Sequence, residues 1–202
     1  MLFVIALAFA ALIVSLIING GHRQYYQLRT SSDQSPEAIM RKGEVTSKGV
    51  HSSVNGLRAM LVVNQKQWRR DKPLEIYAGL INESSKSVTV CNHLYLGTTV
   101  HIIFKQGDRS VRYPSMDMRM ATPPKEEMMK LEPSEVVGKR YFISSSSGGS
   151  YKRWGKFIDA IPTGVNSVQF EYFLPEYYRE YTGIPKLWVG KVTSNPVYVE
   201  VK

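Results

Sequence analysis

The sequence lacks most of the features on which enzymes and disulfide-linked folds depend. Cys91 is the only cysteine among 202 residues, so no disulfide can form within the chain. No zinc-protease, nucleophile-elbow, P-loop or dinucleotide-binding motif is present. Only 21% of the residues are charged, which argues against disorder of the whole chain. From these absences we expect no cofactor and no enzymatic activity.

The chain carries an excess of positive charge but no long basic run. It contains 26 Lys and Arg residues against 17 Asp and Glu, and its net charge is +9. Such an excess favours anionic partners. The densest basic clusters, at 68–70 and 151–154, are short, and no nucleic-acid-binding motif accompanies them. We therefore predict a solvated basic surface and do not expect nucleic acid binding.

The N-terminus is the longest apolar stretch of the chain. Residues 2–18 read LFVIALAFAALIVSLII, in which Ser15 is the only polar residue. This length reaches the lower limit for a membrane-spanning helix. The segment lacks the polar face that a soluble amphipathic helix would show. A basic start and an Ala-x-Ala cleavage site, both typical of signal peptides, are absent. We expect residues 1–19 to be an uncleaved single-pass signal-anchor, and a cleaved signal peptide is the alternative.

Beyond this segment the sequence predicts a polar linker followed by one β-rich domain. Residues 20–50 are rich in Gly and Ser, with a helical turn expected after Ser35-Pro36. In the domain, residues 51–202, apolar and polar side chains alternate in several short segments, including 57–63, 74–80, 100–104, 168–172 and 197–201. This period of two is typical of strands with one face on a core, and at least seven such strands predict an all-β sandwich or barrel.

One long segment interrupts the alternating pattern. Residues 113–129 are rich in Met and Pro, and we predict a long loop with a turn of helix near 125–129.

Three short motifs in the last third of the chain have the spacing of a known fold. Residues 131–135 read LEPSE and match L-x-P-G-E, a turn before an edge strand, with Ser134 in place of Gly. Residues 162–170 read PTGVNSVQF and match P-x-G-x-Y-x-V-x-F, with Asn166 in place of the corner tyrosine. Residues 188–197 read WVGKVTSNPV and match W-x-G-x-V-x-S-N-x-V.

Over residues 130–202 these motifs resemble bacterial immunoglobulin-like or fibronectin-III-like domains. The resemblance implies an immunoglobulin-like antiparallel β-sandwich in an exported or membrane-anchored protein. The intracellular proteinase inhibitor family is similar in its strand order and its L-x-P-G-E turn.

The membrane orientation is predicted from the charges near the apolar segment. Arg23 and Arg29 follow it, and only the α-amino group precedes it, so the positive-inside rule taken literally places the domain in the cytoplasm. Sandwich domains behind an N-terminal anchor are usually exported, however, and the charge difference is small. We expect an extracytoplasmic domain, in the periplasm or on the cell surface, and leave the cytoplasmic orientation open.

The aromatic segment at 170–181, which reads FEYFLPEYYREY, is the best candidate for a binding site. Loops at the ends of sandwiches often bind ligands, and tyrosines beside Arg and Glu suit protein or polysaccharide contacts. We predict a ligand-binding loop that includes Tyr177, Tyr178, Arg179 and Tyr181. The alternative is that these tyrosines fold back and cap the end of the sandwich.

Two further hypotheses compete with a binding module. Cys91, His93 and His101 could form a thiol or metal-dependent enzyme site, although no carboxylate stands at metal-ligand spacing and we do not expect a metal. A protease inhibitor-like module could use a loop such as 144–150 or 174–185. The leading prediction is a non-enzymatic, membrane-anchored β-sandwich for protein or glycan binding, or for envelope scaffolding.

Overall fold

The computed structural model describes residues 35–40, 53–92, 94, 96, 99–113, 125–144 and 158–202. All of them belong to one unit, Ser35–Lys202. The predicted membrane segment, most of the predicted linker, His93 and residues 145–150 lie outside the described residues. Within these ranges, no helix combines the length and apolar character needed to cross a bilayer.

The described part of the chain is built almost entirely of strands, and the all-β prediction is confirmed. There are eleven: β1 (Leu57–Val63), β2 (Gln67–Trp68), β3 (Leu74–Asn82), β4 (Val88–Cys91), β5 (Val100–Gln106), β6 (Arg109–Tyr113), β7 (Met128–Leu131), β8 (Val136–Ile143), β9 (Gly164–Leu174), β10 (Gly190–Thr193) and β11 (Val197–Val201). The helical elements are short: the predicted turn at 36–40, a 3-10 turn at Lys125–Glu127, helical residues at 158–160 and an α-helix at Tyr177–Thr182.

The helix predicted near 125–129 is wrong in part. Only Lys125–Glu127 form a 3-10 turn, and the chain then continues as β7. β7 pairs antiparallel with β4, in a register that places Cys91 opposite Met128. Backbone pairing with β4 gives this segment hydrogen bonds that a helical turn of the same length would not provide.

The strands of the described residues form two larger sheets and the small β4–β7 pair. One sheet has the order β1-β3-β8, and the other has the order β2-β11-β9-β5-β6, with β10 also paired to β9. All pairings are antiparallel except the parallel pairing of β2 with β11. The chain therefore contributes β1 to one sheet and, a few residues later, β2 to the other.

One apolar core lies between the two larger sheets, in a β-sandwich-like arrangement. Alternate residues of β3 and β9 enter it, including Ile76, Leu80, Phe170 and Tyr172, all fully buried. Burial of such side chains contributes about 1.5–3 kcal/mol each to stability. The intervening residues of β9 point away from this core, as the period of two predicts.

The two positions at which the sequence departs from the resembled motifs are both accommodated by backbone geometry. Ser134 adopts the left-handed conformation, with φ at 64°, and its N–H donates to the carbonyl of Asn82 at 2.7 Å. The fully buried amide Nδ2 of Asn166 donates to the carbonyls of Pro162 at 2.8 Å and Gly164 at 3.0 Å. Asn166 thus ties the start of β9 back to the chain just before it.

The helical turn at 36–40 packs on the outer face of the β1-β3-β8 sheet. Met40 is fully buried there in a second apolar cluster that includes Met60 and Tyr77. Its methyl group sits over Gly138, where an added Cβ would lie 2.0 Å from the Met40 Cε atom. Glycine at this position therefore makes room for the turn, although residues 36–40 fall within the predicted linker.

Candidate functional site

The predicted binding loop is largely a short α-helix, Tyr177–Thr182, which we call the tyrosine helix. It follows β9 through Pro175 and ends at Gly183, whose φ of 66° is left-handed and whose N–H donates to the carbonyl of Arg179. These six residues, expected in a loop, are helical. The physical reason is the i,i+4 spacing of Tyr178 and Thr182, which places both on the buried face of one helical turn.

The tyrosine helix divides the four predicted site residues among three directions. Tyr178 is fully buried, so it belongs to the core and cannot contact a ligand, contrary to its predicted place in the binding loop. Tyr177 and Tyr181 lie one turn apart on an exposed flank, at 52% and 58% exposure. Arg179 lies two residues from each of them, which on an α-helix places it on the opposite flank.

The exposed Tyr177 is held by its buried neighbour. The two rings are stacked, with centroids 4.7 Å apart and an interplanar angle of 26°. Burial raises the pKa of Tyr178, and a hydrogen bond with Tyr177 raises it further. The stack fixes one face of the Tyr177 ring and leaves the other toward solvent.

Arg179 lines a pocket on its own flank of the tyrosine helix. Its Nε and Nη2 atoms donate to the carbonyl of Leu187 at 3.3 and 3.2 Å, and Nη1 pairs with Glu176. The pocket has a volume of about 320 Å³ and is open to solvent. Its lining residues are Asn55, Ser87, Val88, Arg179, Pro185, Lys186, Leu187, Trp188 and Val189.

Trp188, which lines this pocket, packs on the buried side chain of Tyr172. The hydroxyl of Tyr172 accepts from the N–H of Cys91 at 3.1 Å and donates to its carbonyl at 3.3 Å. The Tyr172 ring packs on Trp188 with centroids 5.4 Å apart, and the Trp188 indole donates to the carbonyl of Val54 at 3.0 Å. Burial raises the pKa of Tyr172 well above its ordinary value.

Cys91 and His101, from the predicted enzyme alternative, lie on opposite sides of the β9-containing sheet. Cys91 is fully buried in the core beside Tyr172. His101 is paired in register with Glu171, whose side chain points the other way because consecutive strand residues alternate between faces. Among the described residues, no group of three His, Cys, Asp or Glu side chains could hold a metal ion.

The cluster of charged residues around Glu171 is not predicted by the sequence. Its carboxylate is only 7% exposed, contacts Arg112, and lies 4.0 Å from His101 Nδ1 and 3.8 Å from Lys191 Nζ. These partners come from β5, β6 and β10, so the cluster depends on strand pairing over long sequence separations. The signal in the sequence was a single acidic residue in an otherwise apolar and neutral strand.

Comparison with known proteins gives no family for this chain. No protein-family model and no curated protein matches the sequence. A β-glucosidase from Erythrobacter marinus is similar over 72% of this chain and 15% of its own length, with 12% identity and a TM-score of 0.34. A β-glucosidase from Listeria innocua is similar over 88% of this chain and 22% of its own, with 15% identity and a TM-score of 0.34.

A third solved structure comes from a different class of protein. Spo0M, a sporulation control protein from Bacillus subtilis, is similar over 74% of this chain and 50% of its own, with 4% identity and a TM-score of 0.38. The chain thus spans half or less of each of these proteins. Similarities this weak carry no argument about function.

Proposed function

We propose that this chain is a non-enzymatic, single-pass membrane protein whose immunoglobulin-like domain binds a protein or glycan partner outside the cytoplasm. The observation that carries the proposal is the exposed pair Tyr177 and Tyr181 on a helix fixed to one end of the domain by the buried Tyr178.

The strand order supports the immunoglobulin-like part of the proposal. The order β1-β3-β8 opposite β2-β11-β9-β5-β6 is that of a sandwich in which the first strand switches from one sheet to the other. Asn166 at the start of β9 also bonds to the backbone just upstream, as a corner tyrosine does in this fold.

The membrane part of the proposal rests on residues 2–18. A run of this length with Ser15 as its only polar residue suits a bilayer better than a soluble helix, which would show a polar face. Export of the domain follows from its proposed class, since anchored sandwiches of this kind usually act outside the cytoplasm.

The binding role follows from how the exposed tyrosines are held. An exposed aromatic side chain is common on protein surfaces and by itself indicates nothing. Here the Tyr177 ring is stacked on a buried ring, and Tyr181 projects from the same flank of the helix. Tyrosines that are rigid before binding lose little conformational entropy on contact, which makes them effective in protein and sugar recognition.

The structure gives little support to the two alternative functions, a thiol or metal-dependent enzyme and a protease inhibitor-like module. Cys91 and His101 are separated by a sheet, so a site that uses both would need a rearrangement of the core. Much of 174–185 is helical, whereas a protease inhibitor presents an extended loop to its protease. Neither observation concerns residues 145–150, which lie outside the described residues.

The test compares ligand retention by three forms of the full-length chain in detergent micelles. Each form is screened against a glycan array and against purified envelope proteins of the cells that make it. We expect the double variant Tyr177→Ala/Tyr181→Ala to lose a ligand that the unmodified chain retains. Tyr198→Ala is the matched control, because Tyr198 is 64% exposed but lies on β11, outside the tyrosine helix.

Three outcomes would contradict the proposal. Retention of every ligand by the double variant would exclude the tyrosine flank as the binding site. Loss of the ligand by Tyr198→Ala to the same degree would place binding elsewhere on the domain. Chemical turnover of a retained ligand would contradict the non-enzymatic assignment.

A further inference from the structure

The pocket beside Arg179 has a lining of one charge sign. Arg179 and Lys186 are both cationic, and no Asp or Glu is among the described residues that line the pocket. The whole chain also carries a net charge of +9. The lining therefore favours an anionic group over a neutral or cationic one.

Hydrogen bonds hold the Arg179 guanidinium in place and use only some of its N–H donors. Two of its five N–H groups point to the Leu187 carbonyl, and a third pairs with Glu176. Within the part of the chain that the structure describes, two N–H groups therefore remain for a ligand. Because the planar guanidinium is already oriented by the Leu187 carbonyl, little side-chain entropy would be lost when it binds a carboxylate.

Lys186 supplies a second, more mobile cation. It is exposed, and the described part of the chain gives it no ion-pair partner. An ammonium group on a flexible chain can follow a charged ligand across an open pocket. The pair thus combines one oriented donor with one adaptable donor.

The remaining polar side chains at the pocket are uncharged. Asn55 offers an amide and Ser87 a hydroxyl, both of which donate and accept hydrogen bonds as sugar hydroxyls do. At about 320 Å³ the pocket is at the small end of the range for ligand sites. This mixture of two cations with neutral hydrogen-bonding groups suits an acidic sugar, which carries hydroxyl groups beside its carboxylate, better than a plain acidic peptide.

We propose that the pocket binds the carboxylate of an acidic polysaccharide, with Arg179 and Lys186 as its cationic contacts. This deepens the proposed function and rests on it, because it names the chemical class of the partner.

The test uses a matched pair of ligands with the full-length chain in detergent micelles. The probes are an oligomer of galacturonic acid and its methyl ester, which has the same sugars without the charges. Affinities are measured by calorimetry for the unmodified chain, Lys186→Gln and Lys105→Gln. Lys105 is an exposed lysine on β5, so its substitution removes the same charge from the chain without touching the pocket.

We expect the charged oligomer to bind and its ester to bind at least about ten-fold more weakly, because charge-assisted hydrogen bonds to the carboxylate are lost. Lys186→Gln should weaken binding of the charged oligomer by about ten-fold, as expected for loss of one such contact, and Lys105→Gln should leave it nearly unchanged.

The other outcomes overturn the inference in distinguishable ways. Equal binding of the oligomer and its ester would remove the role of charge but leave the proposed function intact. Equal weakening by both lysine variants would show attraction to overall charge and not to the pocket. Tighter binding of poly-L-glutamate, with the same dependence on Lys186, would replace the polysaccharide with an acidic peptide. Absence of binding to any of these probes would overturn the acidic-sugar assignment, while the tyrosine variants still test the proposed function separately.

Discussion

The imidazole of His101 and the carboxylate of Glu171 lie opposite each other on β5 and β9, with Nδ1 4.0 Å from Oε1. Both side chains are almost inaccessible, although they are on the face of the sheet that points away from the main core. A buried carboxylate is costly unless charged or polar groups surround it, and Arg112 and Lys191 meet that need here. The cluster therefore links four strands through one acidic side chain.

The first prediction concerns this carboxylate. Glu171→Gln keeps the shape of the side chain but removes the charge that Arg112 and Lys191 share, so we expect a loss of about 1–3 kcal/mol in the free energy of unfolding. Urea denaturation measures it. Glu200→Gln is the control, because the Glu200 side chain lies on the same face but is 41% exposed, and surface ion pairs contribute about 0–1 kcal/mol. Equal stability of the two variants would mean that the cluster is not structural.

The second prediction separates folding from binding within the tyrosine helix. Tyr178→Ala should lower the free energy of unfolding by about 3–5 kcal/mol, because it empties a fully buried aromatic site. Tyr181→Ala should change it by no more than about 0.5 kcal/mol, as for an ordinary surface position. Tyr177→Ala should cost at most about 1 kcal/mol, the value of one aromatic stack. A large loss with Tyr181→Ala would show that the exposed tyrosines serve the fold.

The third prediction compares two glycines that face each other across β3 and β8. A Cβ at Gly79 would lie 2.1 Å from the Val137 carbonyl oxygen, so Gly79→Ala must push two strands apart, and we expect a loss of about 2–3 kcal/mol or more. A Cβ at Gly138 would chiefly meet the flexible end of Met40. Gly138→Ala should therefore cost less.

Hydrogen exchange of residues 36–40 provides the second readout for this pair. In Gly138→Ala the turn should exchange faster while the strands stay protected, because the added methyl group displaces the Met40 side chain. If Gly138→Ala were as destabilising as Gly79→Ala and the turn remained protected, the fit of Met40 over Gly138 would not matter for docking.

The fourth prediction is a loss of stability at alkaline pH. Burial raises the pKa of Tyr113 to about 12, whereas a tyrosine in the unfolded chain titrates near its ordinary value of 10.0. Since the folded chain holds this proton more tightly, its stabilisation is complete below pH about 10 and is lost as pH rises toward about 12. A difference of two pKa units corresponds to about 2.7 kcal/mol.

Tyr113→Phe provides the control for this pH dependence. The variant should show a smaller fall in unfolding free energy between pH about 10 and about 12 than the unmodified chain does. Tyr141, Tyr172 and Tyr178 also have raised pKa values through burial, so part of the fall should remain. An identical pH profile for the two forms would show that Tyr113 is not protected as its burial implies.

Local patterns predict the strands well because the alternation of apolar and polar residues is visible within the sequence of each strand. In β9 the alternation of Val168, Phe170 and Tyr172 with polar residues identifies the core face without knowledge of any partner strand. The environment of Glu171 could not be predicted in this way. Its contacts come from strands about 20 to 70 residues away in sequence, and only the pairing registers bring them together.

The tyrosine helix was missed for a different physical reason. Tyrosine and threonine have modest helix propensity and favour strands, so Tyr177–Thr182 shows no local preference for a helix. Burial of Tyr178 and Thr182 on one face, together with the left-handed Gly183, determines the conformation. The pocket beside Arg179 was missed because Asn55, Ser87 and Lys186 meet there only in the folded chain.

The last prediction concerns the membrane segment and the side of the membrane on which the domain lies. The proposed anchor is residues 2–18, in which Ser15 is the only polar residue. We therefore expect the full-length chain to remain in the membrane fraction after an alkaline carbonate wash, and a form that lacks residues 2–18 to be soluble. A variant with Leu7 and Leu12 changed to Lys is a control of full length, because each central lysine costs about 2.5–3.5 kcal/mol on insertion.

Orientation is measured separately, with reporters fused after Lys202 that are active on only one side of the membrane. We expect activity of the reporter that works outside the cytoplasm, although Arg23 and Arg29 by themselves would favour the opposite orientation. Changing both arginines to Gln should then increase the exported fraction or leave it complete. Activity of the cytoplasmic reporter alone would show that the flanking charges determine the orientation, and a partner outside the cytoplasm would no longer be accessible to the Tyr177 and Tyr181 flank.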